Sequence, residues 1–133
     1  MKTRGFGTLR VYEISEVLAD QIWSCVITWG NLARDTVGKQ LVRSADSIGA
    51  NIAEGSGRGT YADNRRFVRM ARASLYETRH WLRRAYRRQL IEEPAVTNFK
   101  LLIDELGPQL NADLSWIGPV SPVPRDAAVT NDQ

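Results

Sequence analysis

Between Arg58 and Arg88 the chain carries ten arginines against two acids, Asp63 and Glu77, a local balance of +8. The rest of its 133 residues hold eight basic and thirteen acidic side chains, a balance of −5, so the net +3 conceals a strong asymmetry. Fifteen of the 18 basic residues are arginine, whose planar fork grips phosphate or carboxylate through paired hydrogen bonds where lysine offers a point charge. The chemistry these residues suit is recognition of an anion. At about 100° per residue, Arg65, Arg69, Arg72, Arg79, Arg83 and Arg87 fall in one helical stripe roughly 80° wide, and Tyr76 lies inside it. No glutamates are interleaved to relieve the stripe, and like charges three or four residues apart weaken a helix. Three readings remain open: contact with nucleic-acid phosphates, salt bridges to a neighbouring subunit, or a solvated face. Arg58, in the loop before the helix, is expected close to the stripe. Tyr76 is either a platform for a base or an ordinary surface aromatic.

Other constellations point to weaker chemistry. Glu77-Thr78-Arg79-His80 has the Glu-x-x-His spacing of di-iron bundles, which need that element on two helices and further glutamates on two others. His80 is the only histidine, so one subunit cannot supply the second copy, and no metal or other cofactor is expected. Glu54 and Glu77 suggest a carboxylate pair, but no nucleophile or oxyanion donor accompanies them, and an enzyme is not expected. The glycines at 55, 57 and 59 lack the Lys-Ser/Thr ending of a nucleotide-binding loop; their expected role is to end a helix. Ser47, Asn51 and Glu54 line up at i, i+4 and i+7 on the flank of one helix. They are either a polar border to water or an oligomer interface where small, hydrogen-bonding residues let helices approach closely. Cys25 reads as a small buried hydrophobe; as a lone cysteine it cannot form an intrachain disulfide.

Four helices are needed to position these residues. In the first, from about Leu9 to Leu32, Val11, Ile14, Leu18, Ile22, Cys25, Trp29 and Leu32 recur every three or four residues, as one helix face does. Residues 31–38 read as a connection, with Asp35 or Thr36 as cap of the second helix. That helix runs to about Glu54 and buries Leu41, Ala45, Ile48 and Ile52. Thr60 and Asp63 suit a variant capping box that opens the third helix, which extends to about Leu90. Its apolar face comprises Phe67, Met70, Ala71, Ser74, Leu75, Thr78, Trp81, Leu82 and Ala85, with the arginine stripe on the opposite side. Glu92, Glu93 and Pro94 suit the first turn of the fourth helix, where carboxylates meet the positive end of the dipole and proline loses no bond. Phe99, Leu102, Leu106, Leu110, Leu114 and Ile117 form its apolar face, and Gly107-Pro108 is expected to kink or break it. From Gly118 onward, prolines and small polar residues describe a disordered tail.

The fold class is therefore all-α, an antiparallel up-down four-helix bundle over residues 1–118 with a tail over 119–133. A mass of 15.0 kDa and 43% apolar residues suit one domain with one core. The basic start is followed by no apolar h-region, and no stretch reaches the roughly 18 apolar residues of a membrane span. A cytoplasmic protein without a membrane partner is expected.

Two blocks carry a family resemblance. The run from Gln40 to Gly55, QLVRSADSIGANIAEG, and the run from Arg66 to Glu77, RFVRMARASLYE, resemble the four-helix-bundle proteins first noticed as open reading frames in intervening sequences of bacterial 23S ribosomal RNA genes. Gly49 stands where that family commonly has proline, and Ala73 where it commonly has glycine. The resemblance implies a homopentameric ring of bundles with a nucleic-acid role. The accessory proteins of diversity-generating retroelements are similar in fold, and they are basic pentamers that work with a reverse transcriptase and RNA. The expectation is a non-enzymatic homo-oligomer that binds RNA or DNA backbones through Arg58, Arg65, Arg69, Arg72, Tyr76, Arg79, Arg83 and Arg87. The alternative is a protein-interaction scaffold docking an acidic partner, such as a reverse-transcriptase accessory subunit.

Overall fold

A computed structural model describes residues 2–117, with side chains from Leu9 onward; the tail expected from Gly118 lies outside the described residues. Helix α1 spans Lys2–Val26. Helix α2 is continuous over residues 31–56, as an α-helical turn Asn31–Ala33, a π-helical segment Arg34–Gly38 and an α-helical stretch Lys39–Ser56. Helices α3, Tyr61–Arg87, and α4, Glu93–Trp116, complete the bundle. Short turns make successive helices antiparallel. α2 packs on α1 and α3, and α4 closes the square against both. The described residues include no strand.

Periodicity accounts for the core. Leu18 and Ile22 of α1, Ile48 and Ile52 of α2, Leu75 of α3, and Leu106 and Leu110 of α4 are all essentially inaccessible to water. A fully buried aliphatic side chain contributes on the order of 1.5–3 kcal/mol, so this interior outweighs any surface interaction considered below.

The first connection is not where the residues placed it. α1 ends at Val26, six residues short of the expected Leu32, and residues 31–38 are helical rather than a linker. The hydroxyl of Thr28 donates to the carbonyl of Cys25 at 2.7 Å, and the amides of Thr28 and Trp29 reach only three residues back. Both contacts tighten and end the helix. The turn happens to keep Trp29 in phase with the core at 8% exposure, while Leu32 is left 81% exposed. A continuing apolar period had hidden a change of element. Gly30, in extended conformation, precedes the next helix, so neither Asp35 nor Thr36 caps it; the Thr36 hydroxyl instead donates to the Leu32 carbonyl at 2.7 Å. The π-helical segment brings Val37 and Gly38 inward. A Cβ at Gly38 would fall 2.6 Å from Cγ1 of Val26, so glycine permits the close approach of α2 to the end of α1.

The other boundaries follow their local chemistry. Gly55 is buried within the last turn of α2, where a Cβ would lie 2.8 Å from Asn64 Oδ1 and 2.9 Å from Phe67 Cβ. The backbone amide of Asp63 donates to the Thr60 hydroxyl at 3.1 Å, as the capping pattern predicts. α3 ends three residues before Leu90, and Gln89 adopts φ 63° in the turn to α4. Gly107-Pro108 does not break α4. Proline removes one backbone bond there, but Leu106 and Leu110 on either side are both fully buried and hold the two halves against one core.

Candidate nucleic-acid interface

The register of α3 decides what its arginines can reach. Val68, Ala71, Leu75, Thr78, Leu82 and Ala85 are buried, whereas Met70, expected inside, is 42% exposed, and Phe67, Ser74 and Trp81 are half-buried. The inward line is thus rotated from the one expected. The arginine stripe consequently runs along the flank of α3 beside α4, not on the side opposite the core.

Along that flank the stripe divides in two. In its first half Arg65 donates to the carbonyl of Ile117 at 2.8 Å, and Arg72 donates to Oδ1 of Asn111 at 2.8 Å. Arg69 is also engaged within the chain, and all three are half-buried. The guanidinium groups of Arg65 and Arg72 hold the end of α4 against α3. From Tyr76, which is 52% exposed, the stripe opens to solvent. Arg79, Arg83 and Arg87 are exposed, and with Arg84 and Arg88 they form no side-chain hydrogen bond or ion pair among the described residues. Five cationic groups therefore share the last three turns of α3 and its C-cap residue, with no ion pair among the described residues.

Arg79 and Arg83 also form one wall of a groove of about 350 Å³ between α3 and α4. Leu82, Ile91, Val96, Phe99 and Ile103 supply its apolar surface, and Tyr86, Lys100 and Asp104 its polar surface. Lys100 Nζ and Asp104 Oδ2 are 2.9 Å apart, and the Tyr86 hydroxyl donates to Glu93 Oε2 at 3.3 Å. None of Tyr86, Ile91, Val96, Lys100 and Asp104 stood out in the sequence. The signal was faint: a tyrosine one turn beyond the stripe, and the pair Ile91 and Val96 flanking an acidic helix start.

The remaining sequence-predicted residues lie elsewhere. Arg58 is not in the stripe: its guanidinium stands 4.8 Å from the centre of the Phe67 ring and 3.6 Å from the Glu54 carboxylate, on the α2 side of α3. Arg66 covers the same ring at 4.5 Å. Ser47, Asn51 and Glu54 lie along the α2–α3 seam and already have partners. Asn51 Nδ2 donates to the Ser47 carbonyl at 2.9 Å and to its hydroxyl at 3.0 Å, and the Ser47 and Ser74 hydroxyls are 2.9 Å apart. The buried hydroxyls of Ser44 and Thr78 continue the seam at 3.0 Å. Glu77 accepts from Arg43 and from the Trp81 indole, the latter at 3.2 Å. His80 is exposed and meets Trp81 edge to face, with ring centres 4.7 Å apart. Among the described residues, no three His, Cys, Asp or Glu side chains gather as a metal site would require. Cys25 is half-buried rather than fully enclosed, and desolvation pushes its thiol up, with Trp29 acting weakly in the other direction.

These features define an antiparallel four-helix bundle with one cation-rich flank, and none of the described helices is long and apolar enough to cross a membrane. The chain belongs to the family described as 23S rRNA-intervening sequence protein, whose model matches residues 7–112. Its fold is also similar to the crystal structure of a protein with unknown function from the S23 ribosomal protein family of Bacteroides thetaiotaomicron. The TM-score is 0.74 at 24% identity, covering 81% of this chain and 97% of that one. No curated protein matches the chain.

Proposed function

We propose that this protein is a non-enzymatic, cytoplasmic homo-oligomer that binds nucleic-acid backbones through the C-terminal half of α3. The observation that carries the reading is the cluster of Arg79, Arg83, Arg84, Arg87 and Arg88, exposed or half-exposed and without internal partners among the described residues. Five like charges on three turns repel one another, and a polyanion relieves that repulsion while releasing its condensed counterions. The family's name associates it with 23S ribosomal RNA, a ligand of this charge. A binding role is further supported by Glu54 and Glu77, the two carboxylates that suggested catalysis, because each is occupied by an arginine. Arg65 and Arg72 act chiefly as struts to α4, Arg69 is engaged within the chain, and the phosphate contacts concentrate on the second half of the stripe. A five-membered ring, as the family resemblance implies, repeats this flank on every subunit and multiplies the contacts.

The test is a titration of labelled RNA and DNA across a salt series. The logarithm of affinity should fall linearly with the logarithm of salt. Replacing Arg79, Arg83 and Arg87 together by glutamine should flatten that slope by about one unit for each phosphate no longer engaged, and weaken unrelated sequences alike. The triple variant should melt where the wild type does. Binding by the triple variant as tight as wild type, or no binding by the wild type at low salt, refutes the reading. Loss of an acidic protein partner in the triple variant, with no affinity for nucleic acid, would establish the scaffold instead.

A further inference from the structure

The α3–α4 groove has features that phosphate binding alone does not require. Beside the cationic pair Arg79 and Arg83 it offers an apolar floor, which includes Leu82, Ile91 and Phe99, the flat ring of Tyr86, and the carboxylate of Asp104 held by Lys100. A site for bare phosphate gains nothing from the floor, and an acidic side chain supplies charge but no flat π face to cover it. An unpaired base suits every wall. Its π face covers apolar surface and packs on a tyrosine, an exocyclic amino group donates to a carboxylate, and the adjoining phosphates meet arginine. In a duplex those faces are stacked and those edges paired. The volume of about 350 Å³ lies in the ~300–1,000 Å³ range of small-ligand clefts. Resting on the binding function above, we infer that the groove receives an unpaired base, and that the ligand class of this flank is single-stranded nucleic acid.

Fluorescence anisotropy with the full chain at fixed salt tests this. The probes are a mixed-sequence single strand as RNA and as DNA, its duplex, and an abasic strand of equal length and charge. The intact strand should bind more tightly than the abasic one by on the order of ten-fold, as loss of base stacking predicts. Tyr86→Ala, and separately Val96→Trp to fill the groove, should remove that difference and leave duplex binding unchanged. Preference for the RNA or the DNA strand names the natural source, and either supports the assignment. Equal binding of intact and abasic strands by the wild type overturns the groove assignment while leaving backbone binding standing. So does an equal loss of duplex and single strand in both variants, or displacement of the strand by polyglutamate as effectively as by unlabelled strand. Failure of every nucleic acid to bind at low salt overturns both the groove and the function beneath it.

Discussion

Arg65 and Arg83 lie on one line along α3, five turns apart at about 3.6 residues per turn, yet they have different work. Arg65 is half-buried and donates to the carbonyl of Ile117, just beyond the end of α4. Arg83 is exposed and has no partner among the described residues. A charged donor that satisfies a carbonyl near a helix end contributes on the order of 1 kcal/mol, and its removal leaves that group to find water. Arg65→Gln should therefore lower unfolding free energy in urea by about 1 kcal/mol, whereas Arg83→Gln should change it by less than about 0.5 kcal/mol and show itself only in binding. Equal stability of the two variants would contradict the division of the stripe. Residue type alone does not separate these arginines, because the same side chain serves as a strut or a ligand according to what lies across from it.

At the scale of elements, the seams between helices carry most of the polar detail. The α2–α3 seam is a ladder of small hydroxyls, Ser44 with Thr78 and Ser47 with Ser74, which lets two helices approach closely without orphaning a buried donor. The α1–α2 seam has a less comfortable feature. Local desolvation by the neighbouring helix, and secondarily the Asp20 carboxylate on α1, raise Asp46, an exposed residue of α2, above its ordinary pKa of 3.8. A carboxyl raised in the folded state binds a proton there that the unfolded chain has released. Stability attributable to Asp46 therefore falls as pH rises from 3.8 through the raised folded value, and that loss persists at neutral pH. Asp46→Asn should accordingly raise the melting temperature at pH 7, and the gain should vanish near pH 3, where the Asp46 carboxyl is protonated in the folded and the unfolded chain alike. Calorimetry at the two values checks it, and a gain of the same size at both would mean that charge is not the cause.

For the whole molecule, the proposed assembly makes the simplest prediction. Light scattering at micromolar concentration should return a multiple of the 15.0 kDa subunit, five by the family resemblance. Asn51→Arg should shift that mass toward the monomer by placing a bulky charge in a desolvated interface. The missing amide bonds to Ser47 should cost the subunit itself only about 1 kcal/mol. A monomer mass for the wild type would remove both the ring and the interface role of Ser47, Asn51 and Glu54. Four amphipathic helices around one core were legible in the residues alone, because burial imposes a 3.6-residue period on Val11 to Ile22, Leu41 to Ile52 and Phe99 to Leu114 whatever their partners. The gathering of charge on the third helix was equally plain. The first turn was not, since Trp29 stays in phase with a helix that has already ended, nor was the passage of α4 through Pro108. Which arginines are free is a property of the packed bundle. A helical period locates a face to within about one residue, or 100°, and that uncertainty is as wide as the stripe. Whether Arg72 points to water or to Asn111 depends on where α4 lies, a fact recorded 39 residues away and enforced only when Leu75, Leu106 and Leu110 share one interior.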